Sequence, residues 1–156
     1  MEITEVTTAV DCAIVRALLR EYAASLDVDL GFQGFVAELD ALPGDYVRPA
    51  GILLLARDGN EHLGCVAVHA WAAPDIAELK RLYVRTSARG RNVGRLLTQA
   101  AIAFARSAGY ATVRLDTLPS MQAAHAMYAA MGFRAIAPYR LNPVPGTAYM
   151  ELDLRA

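Results

Sequence analysis

The stretch Leu79-Lys80-Arg81-Leu82-Tyr83-Val84, followed closely by Arg89-Gly90-Arg91-Asn92-Val93-Gly94-Arg95, decides how this chain folds. A strand-like run leads into a basic glycine loop, and the loop leads straight into a helical pattern. Glycine lets the backbone take positive φ and come close to a ligand, and asparagine is among the few other residues that tolerate such angles. Free N–H groups at a helix start carry partial positive charge and suit a phosphate. The three arginines of the loop add charge and forked donors. Taken alone, the loop reads equally well as a solvated basic connection, and the residues downstream tip the balance.

Outward from this point the pattern is of alternating elements. Ile76 to Val84 reads as a strand after the break at Pro74-Asp75. Val93, Leu96, Leu97, Ala100, Ala101 and Phe104 trace one face of the helix that follows, with Gly109 beyond its end. Tyr110 to Leu115 is the next strand, Pro119-Ser120 opens another helix, and Gly132 stops it. Phe133 to Ala137 and Thr147 to Leu154 read as closing strands around the Pro-rich turn at 142–146. Toward the N-terminus, Glu2 to Thr7 predicts a short strand. Thr8 and Asp11 form a capping-box pattern for a helix over about residues 10–25, with Ile14, Val15, Leu18, Leu19 and Tyr22 at helical spacing. Phe35 to Leu42 predicts a second helix ended by Pro43-Gly44. Gly51 to Arg57 and Leu63 to Trp71 form a hairpin around Asp58-Gly59-Asn60. The order β-α-α-β-β-β-α-β-α-β-β predicts an α/β chain with a mixed, mostly antiparallel sheet and helices on its faces.

Composition narrows the function. The 156 residues are expected to form one domain over 1–156, and 55% apolar against 20% charged residues argues against disorder. The net charge of −1 argues against a dedicated nucleic-acid binder. Basic residues are nevertheless concentrated: Lys80, Arg81, Arg85, Arg89, Arg91 and Arg95 fall within sixteen positions. No signal segment or membrane-length apolar run is present, so a soluble, cytoplasmic protein without membrane contact is expected. Cys12 and Cys65 read as small buried hydrophobes in a reduced interior. His62, His69 and His125 stand apart without metal-ligand spacing, so no metal is expected. A P-loop is ruled out because Gly94 is followed by Arg95-Leu96 and not by lysine and a hydroxyl; the alternating parallel units of a dinucleotide fold are also missing.

The glycine loop in this setting, followed by Ala124-x-x-Met127-Tyr128-x-x-Met131-Gly132-Phe133, resembles the GNAT superfamily of N-acetyltransferases. The resemblance is strong over Glu78 to Phe133 and rests on element order elsewhere. The family's loop pattern is [Q/R]-x-x-G-x-[G/A]; here Asn92 stands for the first glycine. Met121 stands where relatives often carry an asparagine that bonds the pantetheine arm, leaving Ser120 or backbone groups as substitutes. The resemblance implies a sheet of about seven strands flanked by about four helices.

It further implies acetyl-CoA as donor, the diphosphate held by Arg89, Gly90, Arg91, Asn92, Val93, Gly94 and Arg95. The main chain of Leu82, Tyr83 and Val84 would carry the pantetheine, with the Val84 amide facing the thioester oxygen. Tyr128 is the expected proton donor to the leaving thiolate. Glu78 is the candidate general base, with Asp75 and Asp116 as runners-up, although its alternative as a solvated strand carboxylate stands nearly level. Asp116 is otherwise expected to tie down Thr117 or the following turn. Acceptor specificity is expected from residues 26–46, 71–74 and 139–145, which hold Phe32, Phe35, Tyr46, Trp71 and Tyr139 with Asp27, Asp29, Glu38 and Asp45. The implied activity is acetyl transfer to a primary amine of a small acceptor, with a homodimer plausible from relatives. A non-catalytic acyl-CoA-binding module and a protein or peptide N-acetyltransferase are the alternatives.

Overall fold

A computed structural model of the chain describes residues 1–26, 34–71 and 75–155. Seven strands and four helices occur among them: β1 (Glu2–Glu5), α1 (Ala9–Ala24), α2 (Phe35–Asp40), β2 (Ile52–Asp58), β3 (Glu61–Ala70), β4 (Ile76–Val84), α3 (Val93–Ser107), β5 (Thr112–Thr117), α4 (Gln122–Ala130), β6 (Arg134–Ala135) and β7 (Ala148–Asp153). The strands form one sheet in the order β1-β2-β3-β4-β5-β7-β6. Every pairing is antiparallel except that of β4 with β5. The mixed sheet and the element order are as the sequence predicts. Among the described residues no helix is long and apolar enough to cross a membrane.

Local chemistry accounts for the helix ends. The Thr8 hydroxyl accepts from the Asp11 amide at 3.2 Å, one half of the capping box. The other half is absent, because the Asp11 carboxylate pairs with Arg57 of β2 at 3.0 Å. After α3, Gly109 takes a φ of +90°, a left-handed stop. α4 begins two residues later than Pro119-Ser120 predicts: Met121 occupies its cap, and Pro119 lies in the preceding turn, closed by Met121 N–H to Leu118 C=O at 3.0 Å.

Two cores cover the two faces of the sheet. On one face α3 packs Val93, Leu97, Ala101, Phe104 and Ala105 against Ile52, Leu54, Val66, Val68, Leu79 and Leu115. Leu96 and Ala100 are less buried than expected, and Thr98 is inside instead, its hydroxyl satisfied by the Gly94 carbonyl at 2.8 Å. On the other face α1 and α2 cover Leu53, Leu55, Cys65, Ala67 and Tyr83 with Val15, Leu18, Leu19, Phe35 and Leu39. Burial of each valine, leucine, isoleucine or phenylalanine among them contributes about 2 kcal/mol, so the sheet is clamped from both sides.

The sheet parts in its middle. β4 and β5 are paired only from Ile76 to Glu78 against Thr112 to Arg114, whereas β5 is paired with β7 along its whole length. Beyond Glu78 the two strands diverge and leave a cleft. β5 also runs further than predicted, through Asp116 and Thr117, so both belong to a strand edge on this cleft and not to a turn.

Candidate active site

The cleft is shaped by a bulge in β4. Cys65 of β3 faces Tyr83 while Ala67 faces Lys80, so Arg81 and Leu82 together oppose Val66. Arg81 takes a φ of +62° to absorb the extra residue. The side-chain alternation therefore changes phase: Ala77 and Leu79 face α3, and after the bulge Leu82 and Val84 do so, while Tyr83 turns to α1. Arg85 N–H bonds Leu63 C=O at 2.9 Å, which directs the main chain of Arg85 and Tyr83 toward β3. By strand alternation the main-chain groups of Leu82 and Val84 point the other way, into the opening. Tyr83 is thus spent on the sheet, and its hydroxyl donates to Glu21 at 2.8 Å.

At the end of β4 a short turn over Thr86–Ala88 leads into the glycine loop. Gly90 has φ +82° and Asn92 φ +65°, so asparagine supplies the left-handed geometry expected of it. The first bond of α3 is Leu96 N–H to Asn92 C=O at 3.2 Å. The amides of Val93, Gly94 and Arg95 precede it and are not used by the helix. Around Gly94 space is tight but sufficient: a Cβ there would lie 3.6 Å from Val84 and 3.7 Å from Met127. The basic residues of this region divide. Arg85 pairs with Glu21 at 3.0 Å, and Arg91 pairs with Asp58 at 2.7 Å and Glu61 at 3.5 Å on the β2–β3 hairpin. Arg89 and Arg95 form no ion pair among the described residues; Arg89 is exposed and Arg95 half-buried beside the helix start.

Tyr128 of α4 is buried and lines the cleft with Leu79, Leu82, Leu115, Thr117 and Met121. Its ring leans on Phe133, 5.4 Å between centroids, so the Tyr-then-Gly-Phe motif is a packing unit as well as a signature. Burial pushes its phenol above the ordinary tyrosine range, which keeps the proton on. Thr117 presents a buried hydroxyl without a partner among the described residues, on the same cleft wall. Ser120, by contrast, is exposed and does not line the cleft. Thr117 is the residue that a sequence reading of Asp-Thr-Leu-Pro as a turn passes over.

Glu78 is not a solvated strand carboxylate. It is fully buried and accepts from Tyr139 at 2.8 Å and Arg140 at 2.6 Å, with His69 Nε2 at 2.8 Å. Burial would raise its pKa, but the bond to His69, the charges of Lys80 and Arg140 and the Tyr139 bond outweigh it. The carboxyl is held below its usual range. Around it, Arg140 lies over Trp71 at 4.5 Å, Trp71 meets Tyr139 edge-on at 5.2 Å, and Tyr46 meets His69 at 5.8 Å. Of the expected specificity segments, Tyr46, Trp71 and Tyr139 therefore converge here; Asp27, Asp29, Phe32 and residues 72–74 lie outside the described residues. Asp116 accepts from Asn142 at 3.2 Å, tying down the β6–β7 connection and not the turn after its own strand. Asp75 is exposed, and its carbonyl accepts from Ala111 N–H at 2.8 Å where β5 begins. Cys12 and Cys65 are free thiols; burial pushes Cys65 up to about 12.

The sequence profile of the Acetyltransferase (GNAT) family matches residues 16–133. A Schizosaccharomyces pombe protein named only as an N-acetyltransferase is 41% identical over 142 residues, 89% of this chain and 86% of its own. Among solved structures, a GNAT-family acetyltransferase of Staphylococcus aureus superposes with a TM-score of 0.79 at 16% identity, covering 98% of this chain and 99% of that one. An aminoglycoside 6'-N-acetyltransferase complexed with coenzyme A gives 0.74 at 17% identity over 99% and 97%. With the profile spanning most of the chain and the yeast relative matching nearly all of it, the chain belongs to the GNAT acetyltransferase family and is an acyltransferase.

Proposed function

We propose that this chain, as one domain over 1–156, transfers the acetyl group of acetyl-CoA to the primary amine of a small acceptor by direct attack. The observation that carries the reading is the opening between β4 and β5, into which Leu82 and Val84 turn main-chain groups and on which Tyr128 lies. The residues present fit the coenzyme. The amides of Val93, Gly94 and Arg95 suit a diphosphate, Gly90 and Asn92 shape the loop, and Arg89 and Arg95 add charge. Leu82 and Val84 offer strand-like partners to the amides of the pantetheine arm. The orphan Thr117 hydroxyl supplies a polar contact where Met121 has none.

Acetyl-CoA supplies an acyl carbon activated as a thioester. The protein's part is to hold the carbonyl oxygen against a main-chain amide of β4 as negative charge gathers on it. The acceptor nitrogen forms its bond to the acyl carbon, the carbon–sulfur bond breaks, and Tyr128 gives its proton to the departing sulfur and regains one from the solvent. The proton lost by nitrogen passes to water. Glu78, with both oxygens taken by three partners, serves as a positioning residue for Tyr139, Arg140 and His69. Neither cysteine suits a covalent route: both are buried and neither lines the cleft, and Cys65 has a raised pKa and bonds the Arg81 carbonyl. The test is calorimetric titration with acetyl-CoA, followed by thiol release across a panel of primary amines. Binding with amine-dependent release is expected; binding without release for any amine reduces the chain to an acyl-CoA-binding module.

A further inference from the structure

Two ionised side chains in the cleft stay outside the ion pairs that surround them. Lys80 of β4 and Asp116 of β5 both line the opening, together with Tyr22 and Asn142. By strand alternation each lies opposite a core residue, Leu79 and Leu115, and so faces the side of α1 and α2. The neighbouring charges are matched: Arg81 with Glu38 at 2.7 Å, Arg140 with Glu78 at 2.6 Å, and Arg114 with Glu151 at 3.1 Å. Among the described residues Lys80 and Asp116 form no ion pair within 4.0 Å, with each other or with any other group. Among the described residues the Asp116 carboxylate meets only the neutral amide of Asn142. Lys80 is half-buried, and burial followed by the charge of Arg81 pushes its ammonium's pKa down.

A partly desolvated cation and a partly desolvated anion on facing strands of one cleft are complementary to a ligand that carries both charges. We propose that the acceptor is a small zwitterion, an amino acid or a compound built like one, with its carboxylate on Lys80 and its ammonium drawn to Asp116. A simple alkylamine leaves Lys80 without a counter-charge, and a polyamine places further positive charge beside Lys80, Arg81 and Arg140. Tyr22 and Asn142 then bound the side chain of the acceptor from α1 and from the β6–β7 connection.

The inference rests on the acetyl-transfer reading, and the experiment separates the two. Thiol release is measured with free amino acids, their carboxamides and the matching decarboxylated amines, for the native chain and for Lys80→Met, Lys80→Arg and Asp116→Asn. The native chain is expected to favour the free acid by about tenfold or more in kcat/KM, the value of one charged hydrogen bond. Lys80→Met should erase that preference by raising KM for the acid while the carboxamide changes little, and Lys80→Arg should restore part of it. Asp116→Asn should raise KM for acid and carboxamide alike. Acetyl-CoA affinity, followed by calorimetry, should stay within about twofold in all three variants, below a loss of 0.5 kcal/mol. Equal or better turnover of carboxamides or decarboxylated amines overturns the zwitterion while leaving acetyl transfer intact. So does an equal loss on acid and carboxamide in Lys80→Met, or a chain that no amino acid accelerates. Failure to bind acetyl-CoA overturns both.

Discussion

Arg81 and Glu38 form a two-pronged ion pair, Nε to Oε2 at 2.7 Å and Nη2 to Oε1 at 3.0 Å, across the gap between β4 and α2. Arg81 is also the residue with φ +62°, and its guanidinium lies over Phe35 at 4.9 Å. A left-handed angle at a non-glycine residue costs about 1–2 kcal/mol, and here a planar, buried, charge-assisted pair offsets it. The pair fixes the bulge, and the bulge sets which main-chain groups face the cleft. Glu38→Ala should destabilise the fold by about 3 kcal/mol in urea unfolding, since it removes the carboxylate that holds the buried Arg81 guanidinium by two hydrogen bonds. It should also lower turnover in the folded protein, because Leu82 is no longer held in place. Native-like stability and rate in this variant would show that the bulge stands without the pair.

Tyr128→Phe removes one oxygen from a ring that otherwise packs on Phe133. Folding and acetyl-CoA affinity should change little, while kcat falls about 100-fold or more, the usual contribution of a positioned proton donor. Burial raises the phenol's pKa, so the proton is present throughout the neutral range and loss of activity from its ionisation should fall above the ordinary tyrosine range. A pH–rate profile checks the second point independently. A Phe variant with unchanged kcat removes the hydroxyl from the chemistry.

The loop and the Tyr-Gly-Phe motif were legible because each is a local pattern whose residues answer a local backbone demand, as Asn92 and Gly132 do with φ of +65° and +99°. What could not be read are relations across the fold. Glu78 reads in sequence as a candidate base or, nearly as well, a solvated strand carboxylate, yet its partners Tyr139 and Arg140 arrive from 61 and 62 positions away. Arg81 looks like part of a basic surface run, but its side chain is only 4% exposed and it is committed to α2. Thr117 sits in Asp-Thr-Leu-Pro, a sequence with turn character, and the long pairing of β5 with β7 carries it into the strand instead. Arg91 shows the same limit, since its charge is drawn to Asp58 and Glu61 of a hairpin some thirty positions earlier.

Asn92 is where glycine is usual, and the angle of +65° makes its replacement directional. Asn92→Gly should be close to neutral in stability and in acetyl-CoA affinity. Asn92→Val places a β-branched side chain in the left-handed region at a cost of about 1–2 kcal/mol. It should tilt the amides of Val93 to Arg95 and weaken acetyl-CoA binding more than it slows turnover at saturation. Calorimetry on the two variants decides it: equal affinities would mean that the loop's geometry does not grip the diphosphate.

Glu78 yields the clearest dependence on pH. Its pKa in the folded chain lies below the ordinary value of 4.5, so the unfolded chain binds the proton more readily than the native one. Its ionised form therefore contributes stability that is present above about pH 4.5 and lost as pH falls through the lower folded value. Glu78→Gln should destabilise the protein by about 3 kcal/mol at pH 7, because Arg140 and His69 lose a buried carboxylate. The gap between native and variant chains in urea unfolding should shrink as the pH is lowered below the ordinary carboxylate value of 4.5 and through the depressed folded value of Glu78. If the native carboxylate served instead as the acceptor of the amine's proton, the variant would lose kcat at neutral pH together with the acidic limb of the rate profile. A positioning role predicts a raised acceptor KM with that limb retained.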